Sequence, residues 1–273
     1  MWKKRRRDEE TERRSAHPLR LYVSSSLHLL LLTLFLTPAI ACADALSAKS
    51  SVDQILDALD ARGKSLQDFS ASVKLTDSND TTGDETINTG TVLLQRKGPD
   101  DARIRVVFTK KQQGDKIFTV DHEYMLDDGI LTERDYQAKH ETRQRVLKPA
   151  EKLDLFKLGQ GPFPLPLGQS RQDVLAQFSV QKIAPASDDP PGTVHLQLTP
   201  DPNSRFAADF RTIDIWVDLA GAMPRRIQTL DLNQTTTRTT DLTDVKINTG
   251  LSDKDFALTP VSDGWDVVDQ PYQ

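Results

Sequence analysis

A mainly β fold, a meander of antiparallel hairpins entered through one N-terminal helix, is predicted by three features of the 273-residue sequence. Short runs of strict apolar–polar alternation recur from residue 69 to residue 247. Gly, Pro, Asn and Asp punctuate them at close intervals, and the alternation of strands with long helices that a parallel sheet needs is missing.

The helix comes first. Val52, Ile55, Leu56, Leu59 and Leu66 recur at spacings of three, four and seven across Ser51 to Gln67, with Ser51 placed to cap the N-terminus. Phe69, Ala71, Val73 and Leu75 then share one face of a strand while Ser70, Ser72 and Lys74 share the other. A loop from Asp77 to Asp84 turns the chain into a partner strand, Thr91 to Arg96, with Val92 and Leu94 inward. After the Gly98-Pro99-Asp100-Asp101 turn, Ile104, Val106 and Phe108 mark a third strand. Further short strands follow at Ile117 to Val120, Glu123 to Leu126, Ile130 to Tyr136 and Thr142 to Leu147. The middle changes character. Ala150 to Leu158 reads as a short helix, Gly159 to Gln169 is an apolar Gly/Pro-rich segment, and Gln169 or Ser170 caps a second short helix running to Phe178. Strands resume at Phe178 to Ile183, Val194 to Leu198, Thr212 to Leu219, Arg225 to Leu232 and Thr235 to Ile247. In Thr212 to Leu219, Ile213, Ile215 and Val217 form the apolar face. No fixed-period repeat and no long linker divides residues 44–273, which read as a single domain.

Residues 1–43 have the layout of a secretory signal peptide: a charged start, an apolar run from Leu27 to Leu36, Pro38, and small residues at Ala39, Ala41 and Ala43. The run is shorter than the ~20 residues of a membrane-spanning helix. Cleavage after Ala43 leaves no cysteine behind; the rival reading is acylation of Cys42 after lipoprotein processing, and a downstream start codon would shorten the long charged start. Of 35 basic and 40 acidic residues, eight and four respectively lie in this leader, so residues 44–273 hold 27 basic and 36 acidic residues, a net charge of −9. Such a body is a poor candidate for binding nucleic acid or an anionic membrane, because both need a concentrated positive surface. A lone cysteine excludes an intrachain disulfide framework.

Motifs for chemistry fail on inspection. His122-Glu123 begins like a zinc-protease helix, but Leu126 stands where the second His belongs. Asp77, Asn79 and Thr81 imitate a calcium loop, but Thr82 replaces the turn Gly and Asn88 the closing Glu. There is no G-x-S-x-G elbow, no dinucleotide fingerprint and no phosphate loop. Asp127-Asp128 and Asp188-Asp189 sit in turn chemistry and read as solvated loops, and His195 reads as a surface histidine on the polar face of its strand. No cofactor or metal is called for. Phe163, Leu165 and Leu167, set among Pro162, Pro164 and Pro166, cannot join a helix or a central strand, so they run extended with large apolar side chains projecting. They read either as a loop packed on the core or as a lid over an apolar groove.

The order of elements, and several fragments in it, resembles the LolA-type periplasmic lipoprotein carriers and the wider lipoprotein-sorting superfamily. The fragments are Phe69-Ser70-Ala71, Leu93-Leu94-Gln95-Arg96-Lys97-Gly98-Pro99 before Arg103-Ile104-Arg105, Ile213-Asp214-Ile215-Trp216-Val217-Asp218, Met223-Pro224-Arg225-Arg226-Ile227 and Leu242-Thr243-Asp244-Val245. Phe256-Ala257-Leu258-Thr259-Pro260 with Gly264-Trp265 closes the series. The resemblance implies an unclosed half-barrel whose concave face, covered by helices and a lid, receives acyl chains. It further implies an arginine after the Pro turn, Arg103 or its neighbour Arg105, that ties the lid down by hydrogen bonds. The chain departs from that group where Leu93 and Val106 replace usual tryptophans.

The expectation is therefore a non-enzymatic, monomeric periplasmic carrier of acylated lipoprotein or lipid, with membrane-bound donor and acceptor proteins as partners and no nucleic acid. Its apolar lining is expected from Phe69, Val73, Leu75, Val106, Phe108, Ile213, Ile215 and Val217, its lid from Phe163, Leu165 and Leu167, and its latch from Arg103 and Arg105. Two alternatives are an envelope-stress sensor of the same superfamily and a secreted β-rich hydrolase.

Overall fold

The computed structural model describes residues 46–98, 101–146 and 168–270. The leader, the helix expected at Ala150 to Leu158 and the segment with Phe163, Leu165 and Leu167 lie outside these residues.

Helix α1 (Val52–Ser65) starts where Ser51 and Gln54 exchange side-chain and backbone hydrogen bonds, a capping box, with Asp53 in the first turn and Arg62 and Lys64 in the last. The chain then enters β1 (Asp68–Asn79), β2 (Asp84–Gly98), β3 (Asp101–Gln113), β4 (Lys116–Asp127), β5 (Ile130–Asp135) and β6 (His140–Arg145). A five-residue helix α2 (Arg171–Leu175), capped by Ser170, leads into β7 (Phe178–Ile183), β8 (Thr193–Pro200), β9 (Phe210–Asp218), β10 (Pro224–Asp231) and β11 (Thr236–Ile247). A short 3-10 helix, Asp253–Phe256, precedes the last strand, β12 (Asp266–Gln270).

The strands form one twelve-stranded, unclosed sheet in the order β12-β6-β5-β4-β3-β2-β1-β11-β10-β9-β8-β7. Every pairing is antiparallel except β12 with β6, which is parallel. The mainly β meander with an N-terminal helix is what the alternation predicts. Strands expected as separate pieces, Ile117 to Val120 and Glu123 to Leu126, are one strand, and the loop expected at 77–84 shrinks because β1 runs on to Asn79. Strand β12 has no counterpart among the strands expected from the sequence.

Alternation fixes two faces. On the inner face, cross-strand neighbours Ile247, Phe69, Leu94, Ile104, Leu126 and Leu131 make an apolar row. Ile55, Leu56 and Leu59 of α1 belong to the same buried cluster. The helix lies over one end of this face. Arg96 of β2 donates to the carbonyls of Gly63 (2.9 Å) and Leu66 (3.1 Å), and Arg62 donates to Gly221 O (2.7 Å) in the β9–β10 turn.

Candidate functional site

All eight residues expected to line a ligand face are buried, and strand alternation places them on the inner face. Phe69, Val73 and Val106 come together with Val92, Ile104, Thr240 and Leu242 around a crevice in the sheet floor. The remaining five spread to either side: Leu75 and Phe108 along β1 and β3, and Ile213, Ile215 and Val217 across the register on β9. The crevice has about 10 Å³ of free space. That is room for about one water molecule.

Arg96 is the residue that sequence reasoning passed over. It stands on the inner face of β2, and its guanidinium grips the C-terminal carbonyls of α1, where orphan acceptors and the helix dipole both favour a cation. The signal was its place just before Gly98-Pro99, in the fragment that carried the family resemblance.

Arg103 and Arg105 stand on the other face. Arg103 is 8% exposed; it donates to Gln95 Oε1 and to Asp253, and its guanidinium lies 4.3 Å over the ring of Phe256. Arg105 donates to Glu123 and to the carbonyl of Asp255 (2.7 Å). Both thus hold the segment after β11, and any bond to Phe163, Leu165 or Leu167 lies outside the described residues. They belong to a row of outer-face polar groups set by register. Asp68 pairs with Gln95 and Gln95 with Arg103; Glu123 pairs with Arg134 and Arg134 with Glu141.

The C-terminal segment is laid along this row like a strap. Asp68 accepts the backbone N–H groups of Thr249 (2.8 Å), Gly250 (3.0 Å) and Leu251 (3.3 Å). Gln95 donates to Leu251 O, Arg134 to Thr259 O (2.6 Å), and Tyr136 meets Trp265 edge-on at 5.3 Å. His140 lies 2.9 Å from Asp266, where β12 begins. Glu141, fully buried, accepts from Arg134 and Arg143, and Tyr136 donates to Glu123. Burial, with the Glu123 carboxylate beside it, pushes the Tyr136 phenol up. The Ser252 N–H and hydroxyl hold Asp255 below the usual carboxylate range.

Two sequence readings are corrected. His195 is not a surface histidine: its side chain is 11% exposed, 2.7 Å from Asp214 and stacked on Trp216 at 4.0 Å. Asp189 is not simply solvated. It accepts from the Trp216 indole and from the Ala186 N–H (2.9 Å), folding the β7–β8 loop over the outer face. Desolvation acts to raise its carboxyl, but these bonds outweigh it and hold it low. Asp127 and Asp128 both accept from Lys97, at 2.7 and 2.6 Å; burial opposes the lysine's charge, yet the two carboxylates keep its amine above its ordinary value. Among the described residues no group of three or more His, Cys, Asp or Glu could hold a metal ion, and no helix is long and apolar enough to cross a membrane.

No protein-family model matches the sequence, and no curated protein matches it. Similar solved structures exist. An uncharacterized conserved protein from Thermus thermophilus has a TM-score of 0.46 at 13% identity, over 81% of this chain and all of that one. A LolA superfamily protein from Nitrosomonas europaea has a TM-score of 0.33 at 15% identity, over 77% of this chain and 99% of that one. MucB in the Pseudomonas aeruginosa MucA/MucB complex has a TM-score of 0.40 at 12% identity, over 76% of this chain and 60% of that one. The solved structures similar to this chain thus include LolA superfamily and MucB proteins.

Proposed function

We propose that this protein is a non-enzymatic periplasmic carrier that takes acyl chains of a lipoprotein or lipid onto its inner sheet face, after export through residues 1–43. The observation behind this reading is the inner face itself. Apolar side chains continue from Leu131 on β5 through β1 to Leu196 on β8, and a helix, not a second sheet, covers one end of them. Acyl chains are held by removal of apolar surface from water, which needs lining and mobility rather than charged groups. The crevice in the sheet floor has room for about one water molecule, so in this reading acyl chains lie over the floor, where the cover must move to admit them. Among the described residues that cover is α1. Arg103 and Arg105 act from the outer face by fixing β3 to the strap, while Arg96 is the arginine that ties the cover down.

Arg96→Met should therefore lower stability by about 1.5–3 kcal/mol, the worth of hydrogen bonds to a charged group. It should also speed release of a bound fluorescent fatty acid by about tenfold, since part of that energy resists helix opening. Stopped-flow displacement measures the rate. Lower stability with unchanged release would mean that α1 is not the moving part.

A further inference from the structure

The root of the strap closes round the connection between α1 and β1. That connection is short, Leu66 and Gln67, because α1 ends at Ser65 and β1 starts at Asp68. Strand β1 is fixed between β2 and β11 in the middle of the sheet, so α1 can swing off the inner face only if the backbone of this connection turns. Every backbone N–H and C=O of Leu66, Gln67 and Asp68 is engaged. Asn248 Oδ1 accepts from the N–H groups of Gln67 (2.8 Å) and Asp68 (3.3 Å), and the Asn248 N–H donates to Asp68 O (2.8 Å). Arg96 donates to Leu66 O from its side chain and to Gln67 O from its backbone N–H (2.7 Å), while the Leu66 N–H reaches Gly63 O (3.4 Å). Asn248 Nδ2 also donates to Ser65 O (3.1 Å), on the last residue of α1.

Asparagine suits this place. Its short side chain carries both an acceptor and donors, and its φ of 54° is left-handed, a region that asparagine enters more readily than most residues. The residues that follow are held in turn from β1, since the Asp68 carboxylate accepts the N–H groups of Thr249, Gly250 and Leu251. Asp68 is 5% exposed, so water does not easily replace these bonds. The other polar ties of α1 leave the connection alone: Arg171 meets Asp53 and Asp57 in exposed pairs, which hold little, and Arg62 bonds the β9–β10 turn. We propose that this knot locks the cover, so that α1 and the strap open as one unit and the strap root must release the connection before α1 swings. Asn248 and Asp68 are positioning residues in this device. The carrier reading gives the opening its use, but the coupling belongs to the protein without cargo.

Amide hydrogen exchange on the ligand-free protein tests it. Asn248→Gly keeps the left-handed backbone and removes the side-chain bonds. Exchange at Ile55 and Leu59 of α1 should then quicken about tenfold together with Gly250 and Leu251, while Ile213 and Ile215 of β9 keep their rates. Asp68→Asn alters only a side chain that bonds the strap, leaving it one acceptor oxygen, and should quicken α1 about threefold or more. Unchanged α1 exchange in both variants, whatever the strap does, would overturn the inference. So would α1 exchange that quickens only in step with β9, which is global unfolding. Fatty-acid binding is read separately: a protein that binds none yet shows the coupled exchange loses the carrier reading and keeps the lock.

Discussion

Glu141→Leu should destabilise the protein by about 3–5 kcal/mol in denaturant unfolding, because removing one partner of a buried ion pair leaves the other charge uncompensated. Glu141 is fully buried and Arg134 is 5% exposed at its side chain, and the carboxylate also accepts from Arg143. Once it is gone, Arg134 keeps the carbonyl of Thr259, the hydroxyl of Tyr136 and the ring of Trp265 at 5.8 Å, but no carboxylate among its described partners. The double variant Arg134→Met, Glu141→Leu should recover much of the loss, since an apolar pair of similar volume replaces both charges together. The strap should report the same event: amide exchange from Thr259 to Gln270 should quicken in Glu141→Leu and return towards normal in the double variant. A loss below about 1 kcal/mol, the range of an exposed pair, would show that the outer row does not hold the strap.

Gly90→Ala should be as damaging, by about 3 kcal/mol, the upper part of the range for overpacking. Gly90 sits at the irregular step between β2 and β3, opposite Phe108. A Cβ there would lie 1.8 Å from Val107 O and 2.8 Å from Phe108 Cα. Both neighbours are backbone in the middle of the sheet, so relief requires β2 and β3 to part. Gly98→Ala, whose added Cβ meets only Asp101 Cβ at 3.7 Å, is the control that should be tolerated. Equal melting of the two variants would show that β2 and β3 can separate locally without loss.

The inner face was legible because its signal is local. Val73 and Leu75, or Ile213 and Ile215, lie two residues apart, and burial on one side of a strand imposes that period. The outer row was not legible, because the same alternation that puts Ile104 inward puts Arg103 and Arg105 outward, where a polar residue normally meets water. What buries them is a segment 150 residues later, and no local pattern announces it. Strand β12 escapes for a related reason: all five of its residues are exposed, so it carries no period, and its pairing with β6 adds one side-chain contact, His140 with Asp266, to the backbone ladder. His195 misleads in the same way, since the loop carrying Asp189 covers a face that the strand alone leaves open. Arg96 shares its alternation with Leu94, which places it inward, but only the position of α1 gives an inward arginine something to bind.

The most direct test is mass spectrometry of organic extracts from the purified protein, taken from an envelope that supplies native lipids. A carrier that accepts acyl chains on its inner face should yield reproducible acylated species. Extracts free of such species, together with no displacement of a fluorescent fatty acid in solution, would contradict the carrier reading.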